Sequence, residues 1–297
     1  MVENKSLKDK IRVVLTYCII IALGLLCFFP LWNVLCYSFS SAGAIQRNEV
    51  VLLPVDFNLD AYERLMGDDQ FWRSFGISVI RVALALVINL VLIVLAAYPL
   101  SKTTREFRAR NIFMYLLTFA MLFSGGMIPT YMVVRNLGLL NKVWALVLPS
   151  AVPIFNLIMV MNFFKGIPGA LEEAALLDGA TPFQILTRIY IPCSKPVLAT
   201  VALFSIVGNW NDFFNGLIYM TKIKNYPLMS YISSIQVNLQ EMAAGGASAE
   251  MLEQASKISG QNLNAAKIVV AVVPLLLIYP LLQKYLINGI TIGAVKE

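Results

Sequence analysis

Histidine is absent from the 297 residues and charge is scarce: Asp, Glu, Lys and Arg make up 13% of the chain, against roughly 25% in an ordinary soluble domain. Without histidine or any paired acid and base, there is no constellation for general acid–base work, which excludes an intramembrane enzyme. Cysteine is limited to four residues, and Cys18, Cys27 and Cys36 stand at a spacing that turns neighbours to opposite sides of a helix. That pattern makes no metal box and no disulfide framework, so the cysteines read as small buried hydrophobes. The chain also lacks G-x-x-x-x-G-K-[ST] or any other phosphate cradle, so it is expected to bind no nucleotide itself.

What fills the chain is apolar surface, 59% of residues, which places it with polytopic membrane proteins. Runs of about 20 apolar residues cross the hydrocarbon core. Six occur, at about 13–39, 77–100, 112–134, 143–164, 197–220 and 265–287. The first is too long for the apolar stretch of a cleaved signal. The net charge of +6 would suggest nucleic acid in a soluble protein, but its distribution points to a membrane instead. Lys5, Lys8, Lys10 and Arg12 precede the first run, and Lys102, Arg105, Arg108 and Arg110 crowd the second connection. By the positive-inside rule these segments are cytoplasmic. Both termini (1–12 and 291–297) and the connection 165–196 then lie on that side, and the segments 40–75 and 221–264 lie outside.

The third run is interrupted by Gly125, Gly126 and Pro129, the fourth by Pro149 and Pro153, and the sixth by Pro274 and Pro280. Such breaks need neighbouring helices or a wet cavity to satisfy the freed carbonyls, so helix packing and a pathway lining both remain open.

The connection between the fourth and fifth runs contains EEAALLDGATPFQILTRIYIP, residues 172–192. Pro168 suits a first helical turn, Glu172 and Glu173 suit the positive end of the helix dipole, and Gly179 fits a left-handed stop. Thr181, Pro182 and Gln184 then spell a capping box, and Phe183, Leu186, Ile189 and Tyr190 recur at helical spacing. Pro192 and Pro196 are expected to close the element. At about 10 residues, roughly 15 Å, neither helix can span. The pattern allows a plain interfacial loop or a docking knob for a cytoplasmic partner.

The spacing of Glu173, Ala174, Ala175, Gly179, Ile189, Ile191 and Pro192 resembles the E-A-A signature of the permease subunits of ABC importers, with Ile191 where Leu is usual. The stretches AAYPLSK, GGMIPTYMVVRNLGLLN, GNWNDFFNGLIYM and GITIGAVKE also resemble the carbohydrate-uptake permeases of the maltose-transporter type. The likeness is to the second permease of the pair, in the branch handling complex oligosaccharides or polysaccharides. It implies an all-α, six-span type I importer permease in the bacterial cytoplasmic membrane. The implied partners are a second permease, two ATP-binding subunits that carry ATP and Mg, and an external substrate-binding protein. It further implies that Glu172, Glu173, Ala174, Ala175, Asp178 and Gly179 form the ATPase-coupling element, with Glu173 meeting a basic residue of the ATP-binding subunit. Gly245 and Gly246, in the loop before the last run, would reach the binding protein.

In the fifth run, Gly208, Asn211, Asp212 and Asn215 recur at spacings that put them on one helical face, beside Asn209 and Trp210. A central carboxylate costs about 2.5–3.5 kcal/mol to insert, so this face turns toward a cavity or another helix. With Gly125, Gly126 and Pro129 it is a candidate pathway or gate, and sugar contact and interhelical glue both remain open. Arg81 stands near the outer end of the second run, where it is expected to snorkel and is given no role. Rival readings are the same architecture importing a non-sugar solute, and a secondary transporter driven by an ion gradient.

Overall fold

Hydrocarbon obliges each spanning segment to satisfy its own peptide groups, and the chain answers with helices alone: no strand occurs among the described residues. The structure, a computed structural model, describes residues 7–235 and 260–294. Gly245 and Gly246 lie outside the described residues, as do both extreme tails and most of the loop before the last span. Three helices are long and apolar enough to cross singly, Ile11–Ser38, Asp69–Ser101 and Gln261–Pro280, and three bent helix pairs qualify together.

Packing divides the chain into two units, residues 1–69 with 235–272 and residues 70–234 with 273–297. In the first unit, the helix Leu7–Ser38 is exposed along residues 11–31 and ends in a small core of Cys36, Ala44, Ile45 and Val50. Trp32 Nε1 donates to the Leu52 carbonyl at 2.7 Å and Asn33 Nδ2 to Val51 at 3.1 Å, folding the following loop back on the helix end. The expectation of buried cysteines fails here: Cys18, Cys27 and Cys193 are exposed and only Cys36 is buried. On a span facing hydrocarbon, a small apolar side chain is as well placed outside as inside.

The second unit is built on span two, the 33-residue helix Asp69–Ser101. Its Ile93, Val94, Ala97 and Leu100 pack with Leu157, Val160, Met161 and Phe164 of span four and Val197 and Val201 of span five. Ile185, Leu186 and Tyr190 of the intervening polar element enter the same core. Span three breaks between Arg110–Leu122 and Met127–Asn136 with a bend of 115°, and span four between Trp144–Ser150 and Ile154–Lys165 with a bend of 49°.

Three expectations about these elements need correcting. Span five is not one helix over 197–220: Lys195–Asn211 stops, Asp212 is extended at ψ 102°, and Phe214–Tyr219 restarts as a short helix. Pro168 stands just before the helix Gly169–Leu177 rather than in its first turn, again with extended backbone. Pro192 does stand one residue before the end of the helical run 182–193, but Pro196 closes nothing. Pro196 sits in the first turn of Lys195–Asn211, where a missing N–H leaves no bond unmade.

Candidate functional site

The helix Gly169–Leu177 has two different sides. Glu172 and Ala175 are half-buried, whereas Glu173, Ala174 and Leu176 are exposed and Leu177 is 89% exposed. Asp178 ends the helix, with its amide bonded to the Ala174 carbonyl at 3.0 Å. Gly179 turns the chain at φ +78°, a left-handed position that a side chain would strain. The restart follows the capping pattern: the Gln184 amide donates to Thr181 Oγ1 at 3.3 Å, and the Thr181 amide donates to Gln184 Oε1 at 2.8 Å. A π turn, Leu186–Tyr190, then rotates the helix. After Cys193 the chain bends by 81° into Lys195–Asn211.

Behind this element lies a closed polar cluster. Lys102, one residue beyond span two, forms an ion pair with Glu172, and its Nζ also donates to Tyr190 Oη at 2.9 Å. The Tyr190 hydroxyl in turn donates to Glu172 Oε2 at 2.7 Å. The ammonium lies 4.4 Å from the ring centre of Tyr98 and 4.5 Å from that of Tyr190, a cation–π arrangement. Burial, then the hydrogen bond and charge of Glu172, push the Tyr190 phenol well above its ordinary pKa, so it stays a donor. Glu172 is therefore engaged within the chain, whereas Glu173 is turned outward. The reading of charge along the sequence missed Lys102, which it had counted only toward topology, and Tyr190, which it had placed on an apolar face.

At the break in span five the cluster is not one helical face. Gly208 and Asn211 are exposed, and Asn209 Nδ2 donates to Ser205 O of its own helix at 2.9 Å. Trp210 is 4% exposed and meets Phe75 edge to face at 5.6 Å, so its ring packs within the chain. Asp212 forms an ion pair with Arg81 of span two, whose Nη1 also donates to the Asp212 carbonyl at 2.9 Å. Asn215 supplies two more bonds to the Asp212 carboxylate, from its amide at 3.2 Å and from Nδ2 at 2.6 Å. The first of these caps the restarting helix, which explains why the helix breaks here. Arg81 does not snorkel: it is 1% exposed, and its Nε has no hydrogen-bond partner. One signal could have found it, because Asp212 is the single carboxylate well inside the apolar runs and a buried cation needs an anion.

Gly125, Gly126 and Pro129 are all exposed. The break lies at Phe123–Gly126, where Gly126 adopts φ +86°, and Pro129 falls in the first turn of the next helix. The structure thus gathers Arg81 and Asn215 around Asp212, leaves Asn211 and the Gly125 segment exposed, and keeps Trp210 inside.

Three single helices and three bent pairs have the length and composition to cross a membrane, and with the polar element 169–193 held on the core they match the make-up of a transport permease. The chain belongs to the family described as the binding-protein-dependent transport system inner membrane component, whose model matches residues 6–292. It is 39% identical over 273 residues to protein LplC of Bacillus subtilis, covering 92% of this chain and 90% of that protein. It is 35% identical over 297 residues to the polygalacturonan/rhamnogalacturonan transport system permease protein YtcP of the same organism, covering 98% and 100%. Among solved structures, it matches a chain of a bacterial ABC transporter involved in the import of the acidic polysaccharide alginate. That match has a TM-score of 0.85 and 32% identity and covers 95% of this chain and 98% of the other.

Proposed function

We propose that this permease forms half of the translocation pathway of an ATP-driven oligosaccharide importer and takes up motion from an ATP-binding subunit through Glu173, Ala174 and Ala175. The observation that carries the reading is the two-sided helix Gly169–Leu177, with Glu172 secured to the core and Glu173, Leu176 and Leu177 left exposed. A second permease completes the pore, two ATP-binding subunits carry ATP and Mg, and an external binding protein delivers the sugar. The termini and this helix face the cytoplasm of a bacterial cell. ATP binding draws the ATP-binding subunits together, moves the coupling helices, and opens the spans outward.

The sugar is an acidic one. At the end of the second unit opposite the coupling helix, the turns around 137–143 and 220–226 are joined by Asn141 Nδ2 donating to Thr221 Oγ1 at 2.8 Å. Exposed Arg135, Lys142, Lys222 and Lys224 crowd these turns, and no carboxylate occurs within 131–147 or 213–231. Exposed Asp69 stands beside Gln70, whose Nε2 donates to the Ile223 carbonyl at 2.8 Å, so the turns carry a surplus of cations, and such a surplus concentrates an oppositely charged ligand. Relatives named for polygalacturonan and for alginate support the same class of substrate.

A gentle detergent pull-down of the tagged chain from its native cells, with ATPase activity assayed on the eluate, tests the assembly. Recovery of a second permease and an ATP-hydrolysing subunit upholds the reading, and reproducible recovery of the chain alone without ATPase overturns it. Uptake of labelled uronate oligomers in competition with neutral oligomers and peptides tests the substrate. Glu173→Lys is expected to lower uptake by roughly tenfold or more at normal membrane insertion, since removing one partner of a buried interfacial charge pair costs about 2–5 kcal/mol. Unchanged uptake would remove Glu173 from the joint.

A further inference from the structure

We infer that Lys102 and Tyr190 are positioning residues for coupling: with Glu172 they lock the coupling helix to the end of span two. The inference rests on the importer reading above and adds a route for the motion to span two. Along the chain, the helix Gly169–Leu177 is joined to span four through residues 166–168, and to span five through the Gly179 turn, the 182–193 helix and an 81° bend. The route to span five is compliant, because it passes a glycine at φ +78° and a sharp bend, and neither covalent route leads to span two. Span two is 70 residues away along the chain and is reached through the Lys102 ammonium.

The lock is closed on itself. Lys102 reaches both carboxylate oxygens of Glu172 and the hydroxyl of Tyr190, and Tyr190 closes the triangle by donating to Glu172. Its three corners come from three elements: the end of span two, the coupling helix and the π turn that follows it. Tyr190 is itself fixed, meeting Tyr98 edge to face at 5.0 Å and Phe164 at 5.3 Å. The charged side chains are only 12% and 18% exposed, so water and salt screen the pair weakly. A buried pair adds little to stability over an apolar replacement, and what it adds is a fixed geometry between groups. Here that geometry is imposed where force from the ATP-binding subunit would enter. Tyr190 stands at the end of the π turn Leu186–Tyr190, in keeping with the concentration of such turns at functional positions.

The test uses the intact importer complex and needs no identified sugar. Cys18, Cys27, Cys36 and Cys193 are replaced by serine, and spin labels are placed at Thr104→Cys and Ala170→Cys, both exposed and outside the lock. The distance between them is measured without nucleotide and after trapping with ATP and vanadate. The lock predicts a narrow distribution whose mean shifts by less than about 2 Å, the scale of ordinary helix shear. It also predicts that adding Lys102→Met broadens the distribution in the trapped state. A larger shift in the chain with Lys102 intact, or an unchanged distribution with Lys102→Met, overturns the proposal. Should Lys102→Met fail to assemble, the measurement with Lys102 present still decides the matter. Absence of any co-purifying ATPase would count instead against the importer reading itself.

Discussion

Asp212→Asn is expected to reduce the yield of folded permease sharply, while the double replacement Arg81→Met with Asp212→Asn recovers much of it. The asymmetry comes from what each change leaves behind. The Arg81 side chain is 2% exposed and that of Asp212 is 20% exposed, so neutralising Asp212 strands the more deeply buried charge. Arg81 Nε already lacks a partner, and the remaining contacts to the Asp212 carbonyl and amide cannot balance a full cation. Breaking a buried pair from one side costs about 3–5 kcal/mol, whereas replacing both members by apolar groups is often neutral. The pair also holds the break in span five open, because the carboxylate that meets Arg81 also caps the helix beginning at Phe214. Yield in mild detergent and the midpoint of thermal inactivation, taken around the full double-mutant cycle, measure the coupling. Additive effects in that cycle would show that the two residues do not depend on each other. Normal yield of Asp212→Asn with a changed sugar preference would move Asp212 into the substrate pathway.

Gly216→Ala is expected to disrupt the same region by a different mechanism. A Cβ at Gly216 would lie 1.9 Å from Ser230 Oγ, 2.8 Å from Ser230 Cβ and 2.9 Å from Pro227 Cδ. Neither neighbour yields easily: the Ser230 hydroxyl donates to the Phe213 carbonyl at 2.7 Å, and the proline atom belongs to a ring. Overpacking of this kind costs about 1–3 kcal/mol, and the short contact to an engaged hydroxyl places this change toward the upper end. The thermal midpoint of the purified complex should fall, and adding Ser230→Gly should restore part of the loss. A midpoint unchanged by Gly216→Ala would mean that the helix Phe214–Tyr219 can shift away from the following segment without penalty.

Much of this was legible from local pattern. Apolar runs set the spans, Gly126 marked the break in span three, and Thr181 with Gln184 marked the helix restart, because each depends on residues within a few positions. The polar two-helix element was legible because the Gly179 stop and the Thr181 capping box follow one another within a few positions. What stayed hidden depends on separation. Asp212 looked like one member of a helical face, since nothing nearby shows that its carboxylate ends the helix by engaging Arg81, 131 residues earlier. Lys102 and Arg81 were each given a plausible local account, one as a topology charge and one as a snorkelling cation. Only packing brings each to its carboxylate. The outward or inward turn of Glu172 and Glu173 was equally invisible, because adjacent residues on one short helix carry the same charge.

The separation of Arg81 from Asp212 has a consequence for how the protein is made. Synthesis proceeds at about 5–20 residues per second, so the 131 residues between them leave span two in the membrane with its guanidinium unmatched for roughly 7–26 s. During that interval the arginine must be hydrated or held at the interface, and the snorkelling expected of it describes the nascent chain rather than the finished one. Span five then arrives bearing an anion for which a cation is already waiting, so the two charges sort the late span onto the early one.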